Sequence, residues 1–171
     1  MPGSMTLANA RKSHAVRSYI ESLNEILGCV AGRRVNVHGP DSRDAYSVKI
    51  GNGQHVPLAS PSNLGVRVRQ QFRASPVQSD FTVRVEAYEY AIRRASGGEI
   101  LAYHWHPATQ VSYPHLHISA EWGTAREFSR VHLPTGHLAL VEFTLLLIRE
   151  FAVIPQRSNW QRILINAPPP T

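Results

Sequence analysis

Cysteine is almost missing from this chain. Cys29 is the only one among 171 residues, so no intrachain disulfide forms and no cysteine-rich zinc site can be assembled. A chain without that cross-link is expected in a reducing compartment, the cytoplasm. Lysine is scarce too, 2 residues against 16 arginines, so the formal charge of +6 is carried almost wholly by guanidinium groups. Arginine donates paired hydrogen bonds to phosphate and stacks on bases, which makes a nucleic acid, RNA first, the expected partner. Long apolar runs are lacking as well. The longest, residues 138–148, is broken by Glu142 and falls short of a membrane span, and no charged-then-apolar leader opens the chain. A membrane partner is therefore not expected.

The 43% apolar content is enough for one substantial core. One domain is expected over residues 6–166, with 1–5 a vector-derived leader before Met5 and 167–171 a fraying, proline-rich tail. Val16, Tyr19, Ile20, Leu23, Ile26 and Leu27 recur at helical spacing, predicting an amphipathic helix over 9–27 that stops near Gly28. Val35 and Val37, then Tyr46, Val48 and Ile50, alternate with polar residues around Gly39-Pro40-Asp41 and predict a hairpin. Residues 51–80 carry three prolines and many polar residues. They read as a long connection with one short strand at Val66-Arg67-Val68, its Arg67, Arg69 and Arg73 solvated or contacting phosphate. Residues 137–151 are apolar on nearly every face and predict a buried helix with Thr135 as its N-cap, followed by a short helix bearing Trp160, Ile163 and Leu164. The expected fold class is α+β: a mostly antiparallel sheet built of hairpins, packed against the N-terminal amphipathic helix and the buried C-terminal helix.

Four of the nine histidines lie in two His-x-His units, His104-Trp105-His106 and His115-Leu116-His117. A strand sends alternate side chains to opposite faces, so parity decides which can meet. With His106 set opposite His115, His104 faces His117, Trp105 faces Leu116, Tyr103 faces Ile118 and Leu101 faces Ala120. All four imidazoles then share one face. Upstream, Gly97-Gly98 suits a tight hairpin turn. Setting Ser96 opposite Glu99 places Glu89 with His106, Ala91 with His104, Tyr90 with Trp105 and Ile92 with Tyr103. The candidate face therefore holds Glu89, Arg93, His104, His106, His115 and His117, backed by Tyr90, Ile92, Tyr103, Trp105, Leu116 and Ile118. His132, next to Leu133-Pro134-Thr135-Gly136, joins it if that loop lies nearby.

Such a face admits three readings. Two histidines can give and take a proton in phosphodiester cleavage, with Glu89 orienting one and Arg93 and His132 holding the substrate; this needs no metal or other cofactor. The same imidazoles, with Glu89 as ligand or base, can hold a metal for hydrolysis. The third is structural, with imidazoles stacking and hydrogen-bonding on a half-exposed sheet and no chemistry; the chain is then a non-catalytic module that binds nucleic acid or protein through its basic surface and the sheet. The first, a ribonuclease-like activity, is the leading expectation.

Tyr88-x-Tyr90, a glycine-containing turn, Leu101-x-Tyr103 and Pro114-His115-x-His117 before an apolar helix resemble the TumE-like toxins of bacterial toxin-antitoxin modules over residues 81–151. Ala102 and His104 stand where that pattern has Arg and Asp. The resemblance implies a small α+β domain, an antitoxin partner and an RNA-directed or otherwise growth-arresting activity. His115-Leu116-His117, then His132-Leu-Pro-Thr-Gly136 and an apolar helix with Trp160 beyond, also resembles a group of actinobacterial proteins with no assigned activity.

Overall fold

The computed structural model describes residues 7–96, 98–119 and 131–167. Gly97 of the expected turn, Ala120 opposite Leu101, the leader at 1–5 and residues 168–171 of the expected tail lie outside the described residues. The chain runs α1 (Leu7–Leu27), β1 (Val35–His38), β2 (Ala45–Ile50), a 3-10 turn at Gly51–Gly53, β3 (Val56–Pro57), β4 (Leu64–Val77), β5 (Asp80–Arg94), β6 (Glu99–Trp105), β7 (His115–Ile118), β8 (Leu133–Pro134), α2 (Leu140–Arg149) and α3 (Trp160–Ile165). One antiparallel sheet, in the order β1-β2-β4-β5-β6-β7-β8 with β3 beside β4, carries the helices on one face. The architecture is α+β, an N-terminal helix and a C-terminal helix on a mostly antiparallel sheet. No helix among the described residues is long and apolar enough to cross a membrane.

The helical face is the apolar one because period-3.6 and period-2 patterns meet there. Val16, Leu23, Ile26 and Leu27 of α1 lie over Val66, Val68, Tyr90 and Ile92 of the sheet, with Phe143 and Leu147 of α2 beside them. The Phe143 ring stacks 5.3 Å from Tyr90 and meets Tyr103 edge-on. Tyr19 of α1 stands edge-on to Phe72 at 4.8 Å, and Tyr46 stacks on the same ring.

Residues 51–80 correct the expected long connection. Fourteen of them form β4, the partner of β5 along its whole length. Leu64, Val66, Val68, Phe72 and Ala74 are buried on the helical face. Arg67, Arg69 and Arg73 are strand residues of the opposite face rather than loop cations, and they pair with Glu89, Glu99 and Glu86. Gln70 is the polar exception in the buried series. It accepts from the Tyr19 hydroxyl at 2.7 Å and donates to the Tyr90 hydroxyl at 2.9 Å, which satisfies an amide that burial alone would penalise.

The N-cap of α2 is Ala139, not Thr135. The Glu142 carboxylate accepts from the Ala139 N–H at 2.8 Å, a cap made from inside the helix, while the Thr135 N–H donates to the Pro114 carbonyl and anchors β8 beside β7.

Two bulges set the phase of the sheet. Gln71 faces Ala87 but Phe72 faces Val85, so Glu86 is an extra residue on β5. Beyond it Phe81, Val83 and Val85 turn to the helical face, where Tyr88, Tyr90 and Ile92 lie on the other side of the bulge. On β6, Arg93 faces Glu99 but Ile92 faces Leu101, which leaves Ile100 over.

Phe143 is fully buried and Ile165 is 81% exposed. Phe143→Ala is expected to cost about 3–5 kcal/mol in urea unfolding, whereas Ile165→Ala should stay within roughly 0.5 kcal/mol of the parent.

Candidate functional site

The register near the Gly97-Gly98 turn differs from the expected one. Arg93, not Ser96, lies opposite Glu99. Continued without interruption, that pairing would set Glu89 against Tyr103 and mix polar with apolar side chains on both faces. The extra residue at Ile100 moves β6 by one position, so Glu89 faces His104, Tyr90 faces Tyr103, Ala91 faces Ala102 and Tyr88 faces Trp105. The expected pairs Glu89 with His106 and Tyr90 with Trp105 are thus each displaced by two, and these four residues keep their faces, whereas Glu99, before the extra residue, lies on the polar face with Arg93 and Arg67. The second hairpin is displaced in the same way. His104 lies opposite His115, Ala102 opposite His117, Tyr103 opposite Leu116 and Leu101 opposite Ile118; the expected pair His106 with His115 is not formed. β8 adds the last member. His115 faces Pro134 and Leu116 faces Leu133, so continuing the ladder brings His132 opposite His117.

The result is a cluster of five imidazoles. His104 lies 4.8 Å from His117, 5.7 Å from His115 and 5.9 Å from His106, ring centre to ring centre. His132 lies 4.5 Å from His117 and 4.9 Å from His115. One nitrogen from each of His104, His115 and His117 falls within 4.8 Å of the other two. Around a tetrahedral zinc ion with bonds of about 2.0–2.1 Å such nitrogens are roughly 3.4 Å apart, so side-chain rotation has to draw them in by about an ångström.

His115 is already oriented for that role. It is 4% exposed, and its Nδ1 lies 2.9 Å from the Tyr113 carbonyl. A carbonyl only accepts, so Nδ1 carries the proton and Nε2 keeps its lone pair. His104 Nε2 is buried with no hydrogen-bond partner among the described residues. Burial pushes the His104 pKa from its ordinary 6.5 down to about 4, with His117 adding to the fall and Glu89 opposing it. Burial likewise lowers His117, helped by His115 and His132. Both imidazoles are neutral at pH 7, the form that binds metal.

Glu89 is on the face but not free. Arg67 pairs with one of its oxygens, and Arg69 lies 3.4 Å from the other. It is 8% exposed, and its charge is held as the counterion of two guanidinium groups. Arg93 shares the face by parity but sits four residues along β5 from Glu89, roughly 13 Å by strand rise. Arg67 and Arg69 are the site residues that sequence reasoning missed; the alternation of β4 was the signal that could have found them. His137, which also flanks Leu133–Pro134, faces the other way, its ring 4.2 Å from Trp105.

No family model matches the chain, and neither a curated protein nor a solved structure matches it. The likeness to TumE-like toxins rests on the quoted residues alone.

Two expectations follow for metal-free protein. A histidine pKa lowered on folding means that the unfolded chain binds more protons between the two values, so stability rises with pH there. Unfolding free energy should fall as pH drops from 6.5 towards about 4, and the slope should flatten in His104→Gln; an equal slope in the variant would remove His104 as its source. Glu89→Ala leaves Arg67 with less compensation at 20% exposure and should cost about 3 kcal/mol. Glu86→Ala breaks the more exposed pair with Arg73, 3.3 Å apart, and should cost about 0–1 kcal/mol in the same urea series.

Proposed function

We propose that this chain is a metal-dependent hydrolase whose divalent transition metal is held by His104, His115 and His117. The observation that carries the proposal is the convergence of those three nitrogens within 4.8 Å on one sheet face. Imidazole suits zinc and its neighbours in the first transition row, and three protein ligands with a fourth position open is the pattern of catalytic rather than structural zinc. A bound ion would act as a Lewis acid on a phosphoryl or carbonyl oxygen.

The remaining residues take roles that their positions permit. His115 is held by Tyr113 through Nδ1, which leaves Nε2 for a ligand. His104 offers a buried Nε2 with no hydrogen-bond partner among the described residues. His106, half-buried beside His104, is outside the ligand set and is the residue we assign to proton transfer. His132 is exposed next to His117 and would border a substrate bound there. Glu89, tied to Arg67 and Arg69, supplies negative potential beneath His104 and is not the base.

A metal-free acid/base pair is less well supported. It needs one imidazole protonated near neutral pH, and His104 and His117 are both pushed toward the neutral form. The net charge of +6 makes a phosphoester, with RNA as the first polymer, the substrate class to assay. Arg67, Arg69 and Arg73 contribute less to phosphate binding than their number suggests, because they are engaged with carboxylates.

Protein purified without a histidine tag should carry, or take up on reconstitution, about one equivalent of zinc by elemental analysis. Saturating metal at a hundredfold excess over Kd should stabilise it by about 2.7 kcal/mol. The variant with both His115→Ala and His117→Ala should lose the metal. His106→Ala should keep it and lose turnover by about a hundredfold or more. Metal far below one equivalent that reconstitution does not restore would sink the proposal.

A further inference from the structure

The opposite face of the same sheet carries a second feature that the histidine site does not use. A cavity of about 510 Å³ lies between α1, the first turn of α2 and the β4–β5 ladder, within the size range of small-molecule sites. The bulge at Glu86 creates its far wall by turning Phe81, Val83 and Val85 to the helical side. Tyr88 and Tyr90, stacked 4.7 Å apart, form its floor, and Trp105 with its edge-on His137 closes one end.

The hydrogen bonds inside are arranged in one direction. The Tyr19 hydroxyl donates to Gln70, and Gln70 donates to the Tyr90 hydroxyl. The Tyr88 hydroxyl accepts from the Leu138 N–H at 3.0 Å. Tyr88 and Tyr90 thus each receive a hydrogen bond, and neither hydroxyl proton has an acceptor among the described residues. A phenol that already accepts still has one proton to give. Desolvation raises the pKa of all three tyrosines, which keeps those protons in place. Arg84, exposed to solvent, is the one lining residue with a permanent charge; no aspartate, glutamate or lysine lines the cavity.

We infer that this cavity is a binding site for a flat, uncharged, mainly apolar molecule that presents one oxygen acceptor, of the aromatic ketone class, to the Tyr88 hydroxyl. Aromatic walls favour a planar ring, the unmatched Tyr88 donor selects a carbonyl oxygen, and, with Arg84 exposed to solvent, no charged side chain is buried in the cavity to hold a charged group. The inference is independent of metal binding, because none of the five clustered histidines lines the cavity.

The probe is 6-propionyl-2-(dimethylamino)naphthalene, a neutral flat ketone whose emission moves to the blue in apolar surroundings. Titration followed by fluorescence and calorimetry should give saturable one-to-one binding. Tyr88→Phe should weaken it by about five- to tenfold, while leaving the carbonyl-free analogue 2-(dimethylamino)naphthalene unchanged. Ala15→Phe or Ser22→Phe, on the α1 wall, should fill the space and abolish binding with the circular dichroism and Tm of the parent retained. Three results would overturn the inference: no saturable binding by the folded parent, equal binding by both filled variants, or tighter binding of 2-naphthoate than of the ketone.

Discussion

The antiparallel ladder between β4 and β5 is the constraint on which the rest of the molecule depends. It runs from Leu64 opposite Arg94 to Val77 opposite Asp80; Glu89 and its arginines hang from it, His104 from the adjacent β6, and His115 and His117 from β7 one strand further out. Because successive side chains alternate, each strand must serve two environments at once. Tyr88, Tyr90 and Ile92 meet the helices, while Glu89 and Ala91 meet Arg69 and Arg67 across the sheet. The bulges at Glu86 and Ile100 are the places where this alternation is re-phased. The first opens a wall for the cavity. The second keeps Glu89 and His104 on one side of the sheet.

Much of this was legible before any coordinates, and what was missed has a physical reason. Parity is a property of the strand alone, so the sorting of imidazoles from aromatics follows from His104-Trp105-His106 and His115-Leu116-His117 read as strands. Register is different: it depends on how the turn closes and on bulges, and neither leaves a periodic mark. Hence the partners of Glu89 and His115 were displaced by two while their faces held. β4 was hidden for another reason. Its buried series Leu64, Val66, Val68, Phe72 and Ala74 is interrupted at Gln70, whose amide is tolerated only because Tyr19 and Tyr90, distant in the chain, bond to it. A local pattern cannot show a partner supplied by a helix fifty residues earlier. The cap of α2 was missed in the same way, because Glu142 acts backwards from within the helix and Thr135 belongs to the β7–β8 edge.

The electrostatics of the polar face follow from burial more than from net charge. The chain carries +6, yet the face beneath the histidines holds a nearly buried carboxylate flanked by two guanidinium groups. A lone Glu89 there would be expensive, and so would a lone Arg67; their pairing offsets both costs and fixes the carboxylate beneath the cluster. The imidazoles above it are packed closely enough that a proton on one raises the cost of a proton on the next. Their lone pairs are what the proposed metal would use. Acid/base catalysis would need one imidazole protonated near neutral pH, and burial works against that at His104 and His117.

The two faces are joined by covalent geometry. Trp105, at one end of the cavity, lies between His104 and His106 in sequence, and Glu89 lies between Tyr88 and Tyr90. A strand holds adjacent residues on a common backbone about 3.3 Å apart along its axis, so a rotation of the backbone that moves Trp105 also moves the neighbouring imidazoles. A molecule in the cavity would change metal affinity only if it binds the two arrangements of that segment unequally. The β5–β6 ladder favours one arrangement, because Tyr88 opposite Trp105 and Glu89 opposite His104 are consecutive pairs that must shift together. The geometry therefore predisposes the two sites to be stiffly supported and nearly independent. The edge through β7 and β8 is the softer part: β8 pairs through only Leu133 and Pro134, and it delivers His132.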